Sequence, residues 1–162
     1  MARRRGKPKS EYGLQLAEKQ QLKDTYGLRE KKFRRYFDIG KEPEEIARLL
    51  ESRLDNVVFR SGFAQTRKAA RQIVGHGHIQ VNGNNVNLPA FSIKVGDTIS
   101  IHPSSTNIGP FKDLSLTLKK YEAPAWITVD AKSLNAKVSA RPTVDEYLVT
   151  SSIRPVIEFY SR

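Results

Sequence analysis

The sequence of 162 residues contains no cysteine. Disulfide bonds, thiolate catalysis and zinc or iron–sulfur sites with cysteine ligands are therefore excluded. The chain also has no apolar run long enough to cross a bilayer, and no apolar stretch of signal-peptide type follows its first arginines. These absences predict a cytoplasmic protein without a membrane partner.

Acidic residues are few beside the basic ones. The chain has 17 Asp and Glu against 28 Lys and Arg, which gives a formal net charge of +11. Such a charge attracts polyanions and makes their binding sensitive to salt. The 38% apolar and 9% aromatic residues are enough for a folded core. We expect one domain or two small interlocked ones, with nucleic acid as the leading partner.

Catalytic and metal-binding patterns are also scarce. The sequence has no glycine-rich phosphate loop, Ser-His-Asp arrangement or paired-carboxylate cluster, and His76 and His78 have no evident third metal ligand. We therefore predict no metal and no cofactor. Arg53-Leu54-Asp55 resembles the catalytic motif of pseudouridine synthases, but it lies within a predicted helix of the segment from Leu50 to Ile101 rather than in a separate catalytic domain. We expect Asp55 to cap a helix or to pair locally, with Arg60 as one candidate partner, and we do not predict an enzyme.

The most informative segment runs from Leu50 to Ile101. Thr66 is a candidate N-cap for a helix over Arg67–Val74 that has two distinct faces. The apolar face comprises Ala69, Ala70, Ile73 and Val74, and the polar face comprises Arg67, Lys68, Arg71 and Gln72. The polar face is either an RNA-binding surface or simply a solvated one.

A hairpin is predicted directly after this helix. Ile79–Val81 and Asn85–Leu88 flank Asn82-Gly83, a pair that tolerates positive φ and suits a type I′ turn. Thr98–Ile101 alternates apolar and polar residues, which is typical of a half-buried strand. Helices and a short antiparallel sheet together suggest a compact RNA-binding module.

Helical patterns precede the module. Residues 1–9 are predicted to form an extended basic arm, and a helix is predicted from the candidate cap Ser10 to Tyr26. Leu28–Phe37 predicts a second helix, and Pro43 begins an apolar stripe that predicts one continuous helix through Val58.

The last third of the sequence is less regular. Leu114–Tyr121 predicts a short helix or an extended segment, and Trp126–Val129 and Val156–Tyr160 predict strands. We expect this tail to dock on the N-terminal helices.

Three separated blocks resemble the bacterial-type family of small-subunit ribosomal protein four. The matching segments are residues 10–20 and 26–37 in the first block, 51–63, 66–67, 70–74 and 77–83 in the second, and 126–130 and 156–162 in the third. The resemblance implies an α+β fold in which residues 51–111 form an inserted RNA-binding module of two helices and a short antiparallel sheet. Residues 10–50 and 112–162 would form a helical domain with C-terminal strands.

The resemblance also implies a function. Family members bind small-subunit ribosomal RNA early, nucleate subunit assembly and influence translational accuracy. The implied partners are ribosomal RNA, small-subunit proteins three and five, and messenger RNA where it enters the ribosome. Many members carry a further N-terminal segment, often with a cysteine zinc knuckle, so this sequence resembles a short form; Pro155 also departs from the usual pattern.

The predicted RNA-binding residues are mostly basic and fall into two groups, one in the N-terminal region and one in the module. We expect them to recognise RNA shape through phosphate and 2′-hydroxyl contacts. They are Arg3, Arg4, Arg5, Lys7, Lys9, Tyr12, Lys19, Lys31, Lys32, Arg34, Arg35, Arg53, Arg60, Thr66, Arg67, Lys68, Arg71, Gln72 and His76. The alternatives are a stand-alone RNA-binding regulatory or ribosome-rescue factor and, less favoured, an RNA-modifying enzyme.

Overall fold

The computed structural model describes residues 6–162 apart from the side chain of Tyr147, and it confirms the α+β class. The chain forms two compact units. The helical unit comprises the described part of Met1–Ile46 together with Asp145–Arg162, and the sheet unit comprises Ala47–Val144.

The helical unit combines segments from the two ends of the sequence. Its elements are α1 (Glu11–Tyr26), α2 (Glu30–Ile39), the start of α3 (Pro43–Glu51), α7 (Glu146–Leu148), a π-helical turn (Val149–Ile153) and α8 (Arg154–Tyr160). The Ser10 hydroxyl caps α1 by accepting a hydrogen bond from the Gly13 amide at 3.2 Å. Gly27, at a φ of 64°, ends the helix in the left-handed conformation. Both predicted boundaries of α1 are confirmed.

The predicted strand over Val156–Tyr160 is wrong, because this segment is the helix α8. Its β-branched and aromatic residues favour strands locally. However, Ile153 and Val156 are both fully buried, and their spacing places them on one face of a helix. Pro155 lies in the first turn of α8, directly after the π-helical turn. α8 packs against α1, so tertiary burial overrides the local strand preference.

The sheet unit packs helices on an antiparallel sheet. Its elements are the rest of α3, then α4 (Leu54–Arg60), α5 (Arg67–Gly75), β1 (Ile79–Val81), β2 (Asn84–Asn85), β3 (Thr98–Ile101), α6 (Leu114–Lys120), β4 (Ile127–Asp130) and β5 (Asn135–Val138). Within the described residues the sheet has five strands in the order β2-β1-β3-β5-β4. Ile79 pairs with Ile101 and Val81 with Ile99, so their side chains share the face that α4 and α5 cover.

The predicted hairpin turn is confirmed. Asn82 and Gly83 have φ values of 52° and 82°, as a type I′ turn requires. The second strand is shorter than predicted and ends at Asn85. The chain beyond it turns towards α4 instead, where the carbonyls of Pro89 and Phe91 accept hydrogen bonds from the first amides of that helix.

These same bonds explain why the predicted helix from Pro43 to Val58 is two helices. The amide of Leu54 donates to Phe91 at 2.8 Å rather than to a carbonyl four residues earlier. Arg53 is extended, with a ψ of 140°, and bridges Ser92 in β fashion. The apolar stripe was continuous in sequence, but the backbone hydrogen bonds that break it come from a distant loop.

Residues 112–144 differ from the predicted division of the chain, which placed them with the N-terminal helices. β5 continues the sheet beside β3, with Thr98 opposite Lys137 and Ile99 opposite Ala136. Leu114 and Trp126 lie in the same core as the strands of the hairpin. The compact sheet unit therefore extends past residue 111.

Across residues 6–162, no helix has both the length and the apolar character that crossing a membrane would require.

Candidate nucleic-acid interface

The polar face of α5, formed by Arg67, Lys68, Arg71 and Gln72, lies on the surface of the sheet unit. The Thr66 hydroxyl caps the helix by accepting from the Ala69 amide at 3.0 Å, as predicted. Ala70, Ile73 and Val74 are buried in the core, which fixes the rotation of the helix about its axis. We call the four outward residues the basic face.

The buried side chain of Asp55 binds Arg71 on one side of the basic face. Asp55 is 4% exposed, and its carboxylate accepts two hydrogen bonds from Arg53, to Oδ1 at 3.1 Å and to Oδ2 at 2.9 Å. Arg71 donates through Nε to Oδ2 as well, at 3.4 Å, and keeps 38% of its side chain exposed. Asp55 therefore pairs locally, as predicted, but with Arg53 rather than with the candidate partner Arg60, and it also holds Arg71.

Arg60 belongs to a second ion pair. Its guanidinium donates through Nε and Nη2 to Glu51, at 3.1 and 3.2 Å, and its side chain is 37% exposed while that of Glu51 is 8% exposed. Glu51 also accepts from the amide group of Asn56 at 2.8 Å. In turn, Asn56 Oδ1 accepts from Nε of Arg67 at 3.0 Å. Arg67 also lies over the ring of Phe59, 4.6 Å from its centroid.

Two predicted contact residues have internal roles instead. Arg53 is 4% exposed and forms the bidentate pair with Asp55. Lys19 is 7% exposed, lies over the Phe159 ring at 4.9 Å and donates to Glu30 at 2.9 Å. Burial keeps both cations away from the surface, so neither is part of the interface that we describe.

The predicted N-terminal contacts that remain lie on the surface of the helical unit. They comprise Lys7, Lys9, Tyr12, Lys31, Lys32, Arg34 and Arg35, and all seven are exposed. Phe33 is fully buried on the inner side of α2, so the cations follow the outer side of that helix. The guanidinium of Arg34 stacks on the Tyr160 ring at 5.5 Å. The predicted contacts Arg3, Arg4 and Arg5 lie outside the described residues.

Glu30 and Tyr160 form a titratable pair beneath this surface. The Tyr160 hydroxyl donates to Glu30 at 2.8 Å. Burial alone would raise the pKa of Glu30, but hydrogen bonds from Lys19 and Tyr160 outweigh it and hold the pKa below its usual value. Burial, followed by the Glu30 hydrogen bond, raises the pKa of Tyr160 well above its usual value.

His76 is exposed at the end of α5, next to the basic face. Its ring lies 6.3 Å from that of His78, whose Nδ1 is 2.8 Å from the Ser105 hydroxyl. The part of the chain that the structure describes contains no cluster of three or more His, Asp or Glu suited to a metal ion. The position of His76 suits a contact to a phosphate.

Sequence reasoning missed Glu51 and Asn56. Their signal was present, because polar residues interrupt an otherwise apolar helical stripe at positions 51, 55 and 56. All three side chains are buried, and in the described residues no buried side-chain nitrogen or oxygen lacks a hydrogen-bond partner. A buried polar group requires such a partner, so the interruption predicts a network rather than a defect.

Comparison with known proteins identifies two family profiles that overlap at residues 52–58. The S4 domain matches residues 52–99, and the ribosomal protein S4/S9 N-terminal domain matches residues 1–58. The first match contains α4, α5 and the hairpin, and hence the basic face. The second contains the exposed cations of α2.

Full-length relatives agree with both profiles. Small ribosomal subunit protein uS4 of Halothermothrix orenii is 44% identical over 165 residues, covering 99% of this chain and 79% of the relative. The uS4 protein of Geobacillus sp. is 45% identical over 158 residues, covering 94% and 78%. The uS4A protein of Alkaliphilus metalliredigens is 42% identical over 158 residues, covering 94% and 76%. The chain therefore belongs to the uS4 family of small ribosomal subunit proteins.

Proposed function

We propose that the chain is a structural constituent of the small ribosomal subunit that binds ribosomal RNA, and that the basic face of α5 is one of its contact surfaces. Membership of the uS4 family, whose named relatives are small-subunit proteins, carries the general role. This role is structural rather than enzymatic. It is exercised in the cytoplasm, where the ribosome translates.

The contact surfaces follow from where the cations lie. Lys68, Gln72 and His76 are exposed along one side of α5, and Arg67 and Arg71 project beside them from buried partners. On the helical unit, Lys31, Lys32, Arg34 and Arg35 cover the outer side of α2. Guanidinium groups pair well with phosphate oxygens, and two rigid cationic helices suit recognition of folded RNA by its backbone.

We further propose the finer role that the resemblance implies. The chain would bind ribosomal RNA early, help to nucleate subunit assembly and influence accuracy. It would lie beside small-subunit proteins three and five, where messenger RNA enters. The formal charge of +11 supports early binding to RNA, since electrostatic attraction speeds the encounter.

Reconstitution tests this function. Bacterial small-subunit ribosomal RNA would be assembled with the remaining small-subunit proteins, with the chain in place of the host uS4 protein. We expect one copy per particle that remains bound through a high-salt wash. Loss of the chain in the wash would contradict a structural role and favour a transient RNA-binding factor. Omission of the chain should leave fewer complete particles, and unchanged assembly without it would contradict the nucleating role.

A further inference from the structure

Three surface arginines of the sheet unit are each held by a buried polar side chain from one short segment. Glu51 binds Arg60, Asp55 binds Arg71 and Asn56 binds Arg67. The three anchors are 6%, 4% and 1% exposed, respectively. We call Glu51, Asp55 and Asn56 the anchor row.

We propose that the anchor row positions the guanidinium groups of Arg60, Arg67 and Arg71 for RNA, so that these residues act in binding through the arginines and not by touching RNA. This proposal rests on the proposed function and deepens it. The anchor row would thus strengthen the binding of a polyanion, although two of its three residues are acidic.

All three anchors accept a hydrogen bond from Nε, the guanidinium nitrogen nearest the aliphatic stem. Glu51 accepts a second bond from Nη2 of Arg60. A bond at Nε fixes the direction of the side chain and leaves the outer edge of the fork, with its terminal nitrogens, facing away from that anchor. The outer edge is the part of arginine that matches two phosphate oxygens at once.

The anchors are themselves immobile. Asp55 is held by Arg53 through two bonds and accepts from the amide of Asn56 at 2.7 Å. Asn56 donates to the Glu51 carbonyl and carboxylate, each at 2.8 Å. Because the supports are buried and mutually bonded, the arginines they hold lose rotational freedom when the protein folds rather than when RNA binds.

Positioning and long-range electrostatics predict opposite effects on RNA affinity when the charge of Asp55 is removed. Removing the negative charge of Asp55 raises the net charge of the chain, so long-range attraction alone would tighten RNA binding. Loss of positioning would weaken it, because Arg71 would have to be ordered during binding. Ordering one flexible side chain corresponds to a loss of affinity of about two- to tenfold.

A double-mutant cycle on the whole chain tests the proposal. RNA affinity would be measured for wild type, Asp55→Asn, Arg71→Gln and the double variant, with transcribed bacterial small-subunit ribosomal RNA as the probe. We expect Asp55→Asn to weaken binding about two- to tenfold. In the Arg71→Gln background the same change should have almost no effect, since the residue through which Asp55 acts is gone.

Glu122→Gln is the matched control, because Glu122 is exposed in the sheet unit and its substitution also removes one negative charge. We expect it to leave affinity unchanged or slightly higher. Equal effects of Asp55→Asn and Glu122→Gln would overturn the proposal, as would an equal loss from Asp55→Asn with and without Arg71. If wild type fails to bind the RNA at all, the proposed function fails instead.

A second cycle avoids any change of charge and covers the case in which Asp55→Asn does not fold. It pairs Asn56→Ala with Arg67→Gln, which share the 3.0 Å bond. Circular dichroism and thermal unfolding would confirm that each variant is folded at the temperature of the binding assay. Coupling between the two changes supports positioning, and additive effects on affinity refute it.

Discussion

The salt dependence of RNA binding gives the sharpest test of the basic face. Replacing Arg67 and Arg71 with Ala removes two cations from neighbouring turns of α5 but leaves the Thr66 cap and the buried side of the helix unchanged. If each arginine neutralises one RNA phosphate, binding of the double variant releases two fewer condensed counterions from the RNA than binding of wild type. The slope of log affinity against log salt should then flatten by about 1.8, at about 0.9 for each contact with a double helix.

The cost of these changes to the fold should be moderate. Without Arg71, Asp55 keeps both bonds from Arg53, and the lost pair is partly exposed. We expect that loss to lower the free energy of unfolding by less than about 1 kcal/mol. Without Arg67, the Asn56 oxygen loses a donor in a buried setting, which should cost about 1–3 kcal/mol.

Filter binding or fluorescence anisotropy with small-subunit ribosomal RNA over a salt series would measure the slope. Lys137→Ala is the control for a general change of charge. Lys137 is exposed on β5 between the buried residues Ala136 and Val138, so its side chain points to the face of the sheet opposite the core and α5. We expect its substitution to leave the slope unchanged.

Two results would refute the reasoning. An unchanged slope in the double variant would mean that neither arginine contacts a phosphate. An equal flattening by Lys137→Ala would mean that the overall positive field, rather than the basic face, determines the slope.

Three further predictions concern stability. Gly62→Ala should lower the free energy of unfolding, measured by urea denaturation, by about 1–3 kcal/mol, because the residue has a φ of +82° and a new Cβ would lie 2.6 Å from the Tyr121 ring. Gly75→Ala is the control. It has open space around it and should be neutral or stabilising. Tyr160→Phe removes the bond to Glu30 and should cost about 0.5–1.5 kcal/mol by the same measurement, whereas an unchanged midpoint would contradict that contribution. The pKa of Glu30 is lowered in the folded state, so its stabilising effect is present above its unfolded pKa of 4.5 and is lost as the pH falls through the folded pKa. The free energies of unfolding of wild type and Glu30→Gln should therefore converge in acid. A constant difference between them across that pH range would show that the ionised carboxylate is not responsible.

Features encoded by a few neighbouring residues could be predicted from the sequence. The Ser10 and Thr66 caps each accept a hydrogen bond from the amide three residues later, and Asn82-Gly83 supplies two adjacent positive φ values. The two faces of α5 follow from helical periodicity alone. These predictions were confirmed because the physical cause of each feature lies within the segment that carries it.

Features that depend on distant partners could not be predicted. The break before α4 is produced by carbonyls of the loop at Pro89 and Phe91, and β5 joins the sheet through pairs such as Thr98 with Lys137. No local pattern identifies those partners. In the same way, propensity favoured a strand where burial against α1 makes α8 a helix.

The candidate site shows the same division. The outward cations of α5 could be predicted from periodicity. Which buried residue supports each of them could not, because Arg71 and Asp55 are 16 residues apart and Arg67 and Asn56 are 11 apart. Arg53 and Lys19 illustrate the converse error. Charge alone suggested surface contacts, yet each is buried with a carboxylate partner.

The packing of α1 against α8 in the helical unit has a consequence for the order of folding. Tyr160 and Glu30, bonded in the folded protein, are 130 residues apart in sequence, and all of Ala47–Val144 lies between them. Closing so long a loop of unfolded chain is entropically unfavourable, and each halving of its effective length recovers about 0.6 kcal/mol. Folding of the compact sheet unit, which lies entirely within that loop, would shorten it. The basic face of α5 would then form before α8 packs against α1.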